Sequence, residues 1–127
     1  MMKLLLDTHC LIWLLNDAPE LSPAARRLIS NAETVYFSFA SIWEIGLKWR
    51  KRKINVQPRA IAEAALASGL HERGIELEAI LISSELKTQH GDPFDRLLYV
   101  QAKHGKLKLL TVDEKIPKFG AAVIRAI

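Results

Sequence analysis

Short apolar runs alternate with longer amphipathic stretches along this chain. Residues 3–6 form a short apolar run, which is typical of a strand buried on both faces of a parallel sheet, and residues 107–112 predict a fourth strand. Residues 34–37 are β-branched and aromatic and predict a second strand. Residues 75–77 predict a third strand, and residues 121–124 a fifth.

The stretches between these runs predict helices. Ser22 and Pro23 combine a capping residue with a proline at the first helical position, and Gly105 is placed to end the helix before the fourth strand. A third helix opens at Ser38 or Ser41 and runs to the basic residues near 50. The predicted helices cover residues 8–15, 23–31, about 41–50, 58–70, 79–87 and 93–104.

Strands that alternate with helices imply right-handed βαβ units. The sequence therefore predicts an α/β fold with a parallel sheet covered on both faces. The chain contains no repeat, no low-complexity segment and no linker rich in Gly, Pro or Ser. We expect residues 1–127 to form a single domain.

The composition says more about the partners and the compartment of the protein than about its chemistry. Half of the 127 residues are apolar, and 18 Lys and Arg against 14 Asp and Glu give a charge of +4, which mildly favours a polyanionic partner. The single cysteine, Cys10, cannot form an internal disulfide and sits in an apolar run, as a small core residue does. No signal peptide or membrane span is evident, so we expect a soluble, cytoplasmic protein.

The acidic residues fall where the predicted sheet would gather them. Ligands of open α/β sheets bind beyond the carboxyl ends of the strands. Asp7 follows the first strand, Asp113 follows the fourth, and Glu44 lies in the second turn of the helix after the second strand. Asp92 and Asp95 lie at the start of the helix that leads into the fourth strand. We therefore expect these carboxylates at one edge of the sheet.

Each acid also has a purely structural explanation as a helix cap. Asp7 and Asp113 each precede a possible helix or turn, and Glu44 follows Ser41 at the spacing of a capping box. For Asp92, which precedes a proline, the capping interpretation is retained. For the other acids the joint pattern outweighs it, because capping does not explain why they all fall at one edge.

Carboxylates held close together repel one another unless cations compensate. Mg²⁺ prefers a few carboxylates together with water and substrate phosphates. A metal held in this way activates water and stabilises charge on a phosphoryl group, which is the chemistry of phosphodiester hydrolysis.

Four sequence blocks carry a family resemblance. LLLDTH at 4–9, SIWEI at 41–45, HGDPFDR at 90–96 and LLTVD at 109–113 are similar to the signature blocks of PIN-domain nucleases, and more narrowly of VapC-type toxins of toxin–antitoxin pairs. The blocks appear in the family's order and span nearly the whole chain.

The resemblance implies a three-layer α/β/α fold, a Mg²⁺ or Mn²⁺ cofactor and an RNA substrate. It also implies homodimerisation and a cognate antitoxin. By position it assigns catalysis and metal binding to Asp7, Glu44, Asp95 and Asp113. Thr8 matches a small hydroxyl residue that would orient a carboxylate or a water molecule.

Several positively charged residues and one histidine keep two interpretations. Lys48 lies one turn after Glu44 and could bind a substrate phosphate or pair with that carboxylate. Residues 50–53, Arg-Lys-Arg-Lys, could track an RNA backbone or simply complement the dipole at a helix end. His90, in the predicted loop before Asp92, could act as a general acid or base or be a surface residue.

Other functions fit the pattern less well. A signalling receiver domain would carry paired acids after the first strand and an Asp after the middle strand, whereas Asp7 stands alone and residues 75–79 contain no Asp. An Asp-x-Asp phosphatase would have an acid at His9. An inactive PIN-fold interaction module would not need all four acids. DNA remains open as a substrate, because metal-assisted cleavage does not distinguish the sugar.

Overall fold

Five parallel strands form the centre of the molecule. The computed structural model describes residues 2–87, 91–112 and 123–125. Within these ranges the strands are β1 (Lys3–Leu6), β2 (Thr34–Ser38), β3 (His71–Arg73), β4 (Lys108–Thr111) and β5 (Val123–Arg125). They pair in the order β3-β2-β1-β4-β5, and every pairing is parallel.

Helices connect and cover the strands. They are α1 (Thr8–Leu15), α2 (Pro23–Asn31), α3 (Phe39–Arg50), α4 (Pro58–Ala67), α5 (Leu77–Glu85) and α6 (Pro93–Gly105). Ser22 caps α2 as predicted, with its side chain accepting from the Ala25 amide. Of the two serines considered for α3, Ser38 is the cap, and its Oγ accepts from the Ala40 amide. None of the helices in the described ranges has the length and apolar character that crossing a bilayer requires.

The two faces of the sheet bury alternate residues of each strand. Leu4 and Leu6 of β1 face one core, to which α1, α2 and α4 contribute, whereas Leu5 faces a second core built with α5 and α6. The same alternation in β4 sends Leu110 to the first core and Leu109 to the second. The predicted three-layer α/β/α fold with a central parallel sheet is therefore confirmed.

The order of the strands creates a crevice between β1 and β4. The chain builds the sheet outward from β1 through β2 to β3, and then crosses back to place β4 on the other side of β1. Connections on the two sides of such a point diverge, which leaves an opening at the carboxyl ends of the strands. Asp7 follows β1 at this opening, and Val112 follows β4.

The predicted third strand was wrong by several residues. It was expected at 75–77, but β3 is His71–Arg73 and α5 already begins at Leu77. β3 is an edge strand with exposed His71 and Glu72, so it needs no apolar side chains. Ile75 is apolar because it packs against the second core from the loop, not because it is in a strand.

The bounds of three helices also differ from the prediction, and one of them is α5, which was expected at 79–87 but is Leu77–Glu85. α4 was expected to reach residue 70 but ends at Ala67. In α6, Gly105 is still helical, and Lys106 takes the left-handed conformation that ends the helix, with φ of 58°. Gly105 instead allows the Arg73 side chain to lie close to the backbone of α6, because a Cβ at position 105 would collide with the Arg73 guanidinium.

Candidate active site

Asp7 joins β1, α1 and β4 through a single buried carboxylate. Its Oδ1 accepts from the Cys10 amide at 2.7 Å and so caps α1. Its Oδ2 accepts from the Thr111 hydroxyl at 2.6 Å and from the Val112 amide at 3.1 Å. The expectation that the clustering of acids displaces the capping role was wrong for Asp7, which is a helix cap and also lies at the crevice.

Glu44 reaches the same crevice from α3. The Thr8 hydroxyl donates to its Oε1 at 2.6 Å, and the Lys48 ammonium donates to its Oε2 at 2.8 Å. The side chain is buried. Because α3 begins at Phe39, Ser41 lies inside the helix and forms no capping box with Glu44. Thr8 thus orients a carboxylate, as the family resemblance implied.

Asp92 and Asp95 enter from the start of α6. Asp92 is the N-cap, and its Oδ1 accepts from the amides of Phe94 at 2.9 Å and Asp95 at 3.0 Å, which confirms the capping interpretation. Asp95 occupies the third helical position. The cap thereby fixes the backbone that carries Asp95 at the crevice.

These residues surround one cleft of about 280 Å³. Its lining residues are Asp7, Thr8, His9, Glu44, Lys48, Asp92, Asp95 and Val112. The structure therefore brings together three of the four acids assigned from the sequence, and adds the capping Asp92. The fourth, Asp113, lies outside the described residues, and so does His90.

Lys48 supplies positive charge to this acidic cleft. Its hydrogen bond with Glu44 raises the pKa of the Lys48 ammonium; burial lowers this pKa, while the negative charges of Glu44, Asp92 and Asp95 raise it further. Of the two interpretations open from the sequence, the structure shows the pairing with Glu44. The Lys48 side chain remains 40% exposed, so the ammonium also borders the solvent-filled part of the cleft.

The donors of the cleft are of the kind that Mg²⁺ prefers, but they do not enclose an ion. Among the described residues, no three acidic, histidine or cysteine side chains are grouped closely enough to hold a metal. Mg²⁺ commonly binds through one or two carboxylates and keeps several water molecules. The carboxylates of the cleft therefore match a divalent metal in donor type, and the Lys48 ammonium compensates part of their charge.

Sequence reasoning missed three groups at the site. His9 was considered only as the position where an Asp-x-Asp phosphatase would have an acid, yet it lines the cleft and contacts the Trp13 ring in a tilted arrangement, with ring centroids 5.6 Å apart. The Thr111 hydroxyl and the Val112 amide hold Asp7. No local sequence pattern marks Thr111, because its contact with Asp7 depends on β4 lying beside β1.

Cys10 is a core residue, as expected. Its side chain is fully buried, and burial raises the pKa of the thiol, as do the charge of Asp7 and a hydrogen bond to that carboxylate. A thiol held in its neutral form is a poor nucleophile. Cys10 therefore takes no part in the chemistry of the cleft.

Comparisons with known proteins were made for the sequence and for the fold. The model of the PIN domain family matches residues 4–122. No curated protein matches the sequence. The solved structures that resemble the fold include a toxin–antitoxin complex from Klebsiella pneumoniae, with 21% identity, 94% of each chain covered and a TM-score of 0.67.

Two further solved structures show the same likeness. DNA-bound VapBC from Salmonella typhimurium has 19% identity, full coverage of both chains and a TM-score of 0.67. VapC20 from Mycobacterium tuberculosis, described as a toxin that cleaves the sarcin–ricin loop, has 14% identity and a TM-score of 0.66, with 92% of this chain and 95% of that chain covered. At these identities the likeness concerns the fold.

Proposed function

Because the chain belongs to the PIN domain family, we propose that it is a metal-dependent endoribonuclease and the VapC-type toxin of a toxin–antitoxin pair. The observation that carries this proposal is the cleft, where Asp7, Glu44 and Asp95 meet beyond the carboxyl ends of β1 and β4. A receiver domain is set aside by the family match. The presence of the acids in one cleft favours an active enzyme over a purely structural module.

Glu44, Asp95, Asp7 and Asp113 are the residues proposed to hold Mg²⁺ or Mn²⁺. When bound, such an ion supplies a water-derived nucleophile and stabilises the negative charge on the phosphoryl group. Asp7 is held by donors from α1 and from the end of β4, so its carboxylate is positioned before any ligand arrives. Thr8 positions Glu44 in the same way.

Lys48 is proposed to bind a phosphate of the substrate. Its ammonium borders the cleft opening while it pairs with Glu44. An ammonium carries three donors, so Lys48 can contact a phosphate oxygen without giving up the carboxylate. In this arrangement the Lys48 ammonium offsets the repulsion that the acids would otherwise exert on an incoming polyanion.

The test is cleavage of RNA by the purified protein in Mg²⁺, Mn²⁺ or EDTA, with single-stranded DNA of the same sequence beside it. Asp95→Asn and Asp92→Asn form a matched pair, because each replaces one carboxylate at the start of α6 and asparagine caps about as well as aspartate. We expect Asp95→Asn to lose at least about 100-fold in cleavage rate, and Asp92→Asn to keep most of it.

Two outcomes would contradict the assignments. RNA left intact by the folded protein at millimolar Mg²⁺ and Mn²⁺ would overturn the nuclease proposal. Equal losses in the two variants would show that Asp92 shares the role given to Asp95. The Oδ2 atom of Asp92 could take such a role, because within the described residues only Oδ1 accepts hydrogen bonds.

We further propose a cytoplasmic homodimer that binds an antitoxin. Within the described part of the chain, apolar side chains are exposed on two surfaces that concern these partners. One is the α5 face, where Leu77, Ile80 and Leu81 are exposed. The other is the α3–α4 groove, a concave surface of about 530 Å³ lined in part by Trp49 and Leu66. We assign the α5 face to a second copy and the groove to an apolar helix of the antitoxin.

A further inference from the structure

The C-terminal end of α3 concentrates positive charge. Residues 48–53 read Lys-Trp-Arg-Lys-Arg-Lys and hold five of the chain's 18 Lys and Arg residues. Residues 50–53 are all exposed. In the described part of the chain, no carboxylate lies within 4 Å of any of these four side chains, whereas Lys48 pairs with Glu44. The cluster is therefore not neutralised by the fold around it.

Arg52 occupies a backbone conformation that favours glycine. Its φ is 56°, in the left-handed region. The turn closes α3 through hydrogen bonds from the Lys51 amide to the Leu47 carbonyl at 3.2 Å and from the Lys53 amide to the Lys48 carbonyl at 2.9 Å. Glycine is the usual residue in this type of helix ending, because a side chain there is strained.

Arg52 lowers the stability of the fold for two reasons. Its backbone conformation is strained, and its charge is repelled by the other three cations of residues 50–53. Natural proteins commonly keep such residues where function requires them. Glycine would end the helix with less strain and less charge. Asp17 and Lys106 also have positive φ, so strain alone does not indicate a function; Arg52 differs from them because it belongs to a run of four consecutive exposed cations.

The geometry of α3 connects this cluster with the cleft. Glu44 and Lys48 line the cleft on one side of the helix. α3 ends at Arg50, and the turn after it folds back so that the Lys53 amide donates to the Lys48 carbonyl at 2.9 Å, which places Lys51 and Arg52 directly beside the helical turn that carries Lys48. We propose that Arg52, together with Lys51 and Lys48, binds the backbone phosphates of the RNA strand as it leaves the cleft.

This inference rests on the proposed function for the nature of the ligand, although RNA binding can be measured without cleavage. The molecule provides a matched control in Lys106. It is also an exposed cation in a left-handed helix ending, with φ of 58°. It precedes β4 and so lies at the amino end of the sheet, away from the cleft.

The experiment measures binding of a fluorescent single-stranded RNA in EDTA over a series of salt concentrations. Arg52→Gly and Lys106→Gly remove the same charge and the same kind of strain. We expect both to raise the melting temperature by about 2–4 °C. Only Arg52→Gly should weaken RNA binding severalfold and lower the slope of log affinity against log salt by about 0.7, the loss of one phosphate contact.

Arg52→Lys keeps the charge and the strain, and it should retain the salt slope. The inference is overturned if Arg52→Gly binds RNA with the wild-type affinity and slope, if Lys106→Gly weakens binding equally, or if the wild-type protein does not bind RNA at low salt. It is also overturned if Arg52→Gly loses affinity for an acidic peptide but not for RNA. RNA binding through Arg52 without cleavage in Mg²⁺ would overturn the nuclease proposal alone.

Discussion

The carboxylate of Asp7 has both a structural and a proposed chemical role. It accepts three hydrogen bonds from two parts of the chain that are more than 100 residues apart, and it is almost fully buried. A carboxylate offers about four acceptor positions, so these three bonds leave about one position for a metal ion. Asp7 therefore contributes to the stability of the fold as well as to the charge of the cleft.

Asp7→Asn should lower stability for this reason. An amide presents an N–H group where one carboxylate oxygen accepted, so the amide of either Cys10 or Val112 loses its acceptor in a buried position. We expect the free energy of unfolding, measured in urea, to fall by about 1–3 kcal/mol.

Glu44→Gln is the control for this measurement. Glutamine can still accept from the Thr8 hydroxyl, and the Lys48 ammonium, being partly exposed, can turn to solvent. A loss of stability in Glu44→Gln as large as that in Asp7→Asn would contradict the special role of Asp7. Because Asp7→Asn removes both stability and charge, a loss of activity in this variant must be compared at equal folded concentration.

The sequence predicts those features of the site that follow from a parallel sheet alone. The convergence of Asp7, Glu44 and Asp95 follows from their positions after strands and at helix starts. The hydrogen bonds of Asp7 to β4 could not be predicted, because they depend on β4 lying next to β1 rather than on any local spacing. The spacing of Lys48 from Glu44 permits both a salt bridge and a phosphate contact. The sequence does not show whether the salt bridge forms, whereas the structure does.

At the scale of elements, burial decides which strands the sequence reveals. β1 and β4 are central and apolar, and both were predicted nearly to the residue. β3 is a three-residue edge strand of His, Glu and Arg, and β2 is the one strand that it pairs with in the described ranges. Its hydrogen bonds are made by the backbone, so its side chains carry no strand signal.

Helix α5 provides the test of the homodimer. Leu77, Ile80 and Leu81 are 71%, 47% and 45% exposed, and Ile80 and Leu81 follow Leu77 by three and four residues, so they form one apolar strip with it. Ile80→Lys places a charge in the proposed contact and should give a monomer by light scattering. Leu66→Lys alters a leucine of similar exposure, 50%, in the α3–α4 groove and should leave the dimer intact.

The reverse result would assign self-association to the groove and free the α5 face for another partner. A wild-type monomer at high protein concentration would contradict the homodimer itself. Either outcome leaves the cleft and its chemistry untouched, because neither of the two substituted residues, Ile80 and Leu66, is among the residues that line the cleft.

At the scale of the whole molecule, charge is distributed unevenly. The chain carries a net +4, yet the cleft gathers carboxylates from β1, α3 and α6 around the Lys48 ammonium. Folding brings these acids together, and the unfolded chain separates them. Cations that bind the cleft should therefore stabilise the folded state, and Lys48 is a cation already tethered there.

Replacing Lys48 by Met tests this balance. Without metal, Lys48→Met should melt at a lower temperature than the wild type, because Glu44 loses its partner and the acids lose their counter-charge. The stabilisation that metal adds, in contrast, should be larger in Lys48→Met than in the wild type. A divalent ion no longer competes with the ammonium, so its affinity should rise on the order of tenfold, and saturating metal should then add about 1.4 kcal/mol more stabilisation than it adds to the wild type.

The measurement is a set of thermal melts at low salt in EDTA, Mg²⁺ and Mn²⁺. Lys103→Met, an exposed lysine on α6 outside the cleft, removes the same net charge and should shift with metal as the wild type does. A larger metal-induced shift confined to Lys48→Met would identify Lys48 as a competing cation. Equal shifts in all three proteins would show that Lys48 does not compete with the metal, and no shift in any would count against a metal site in the free protein.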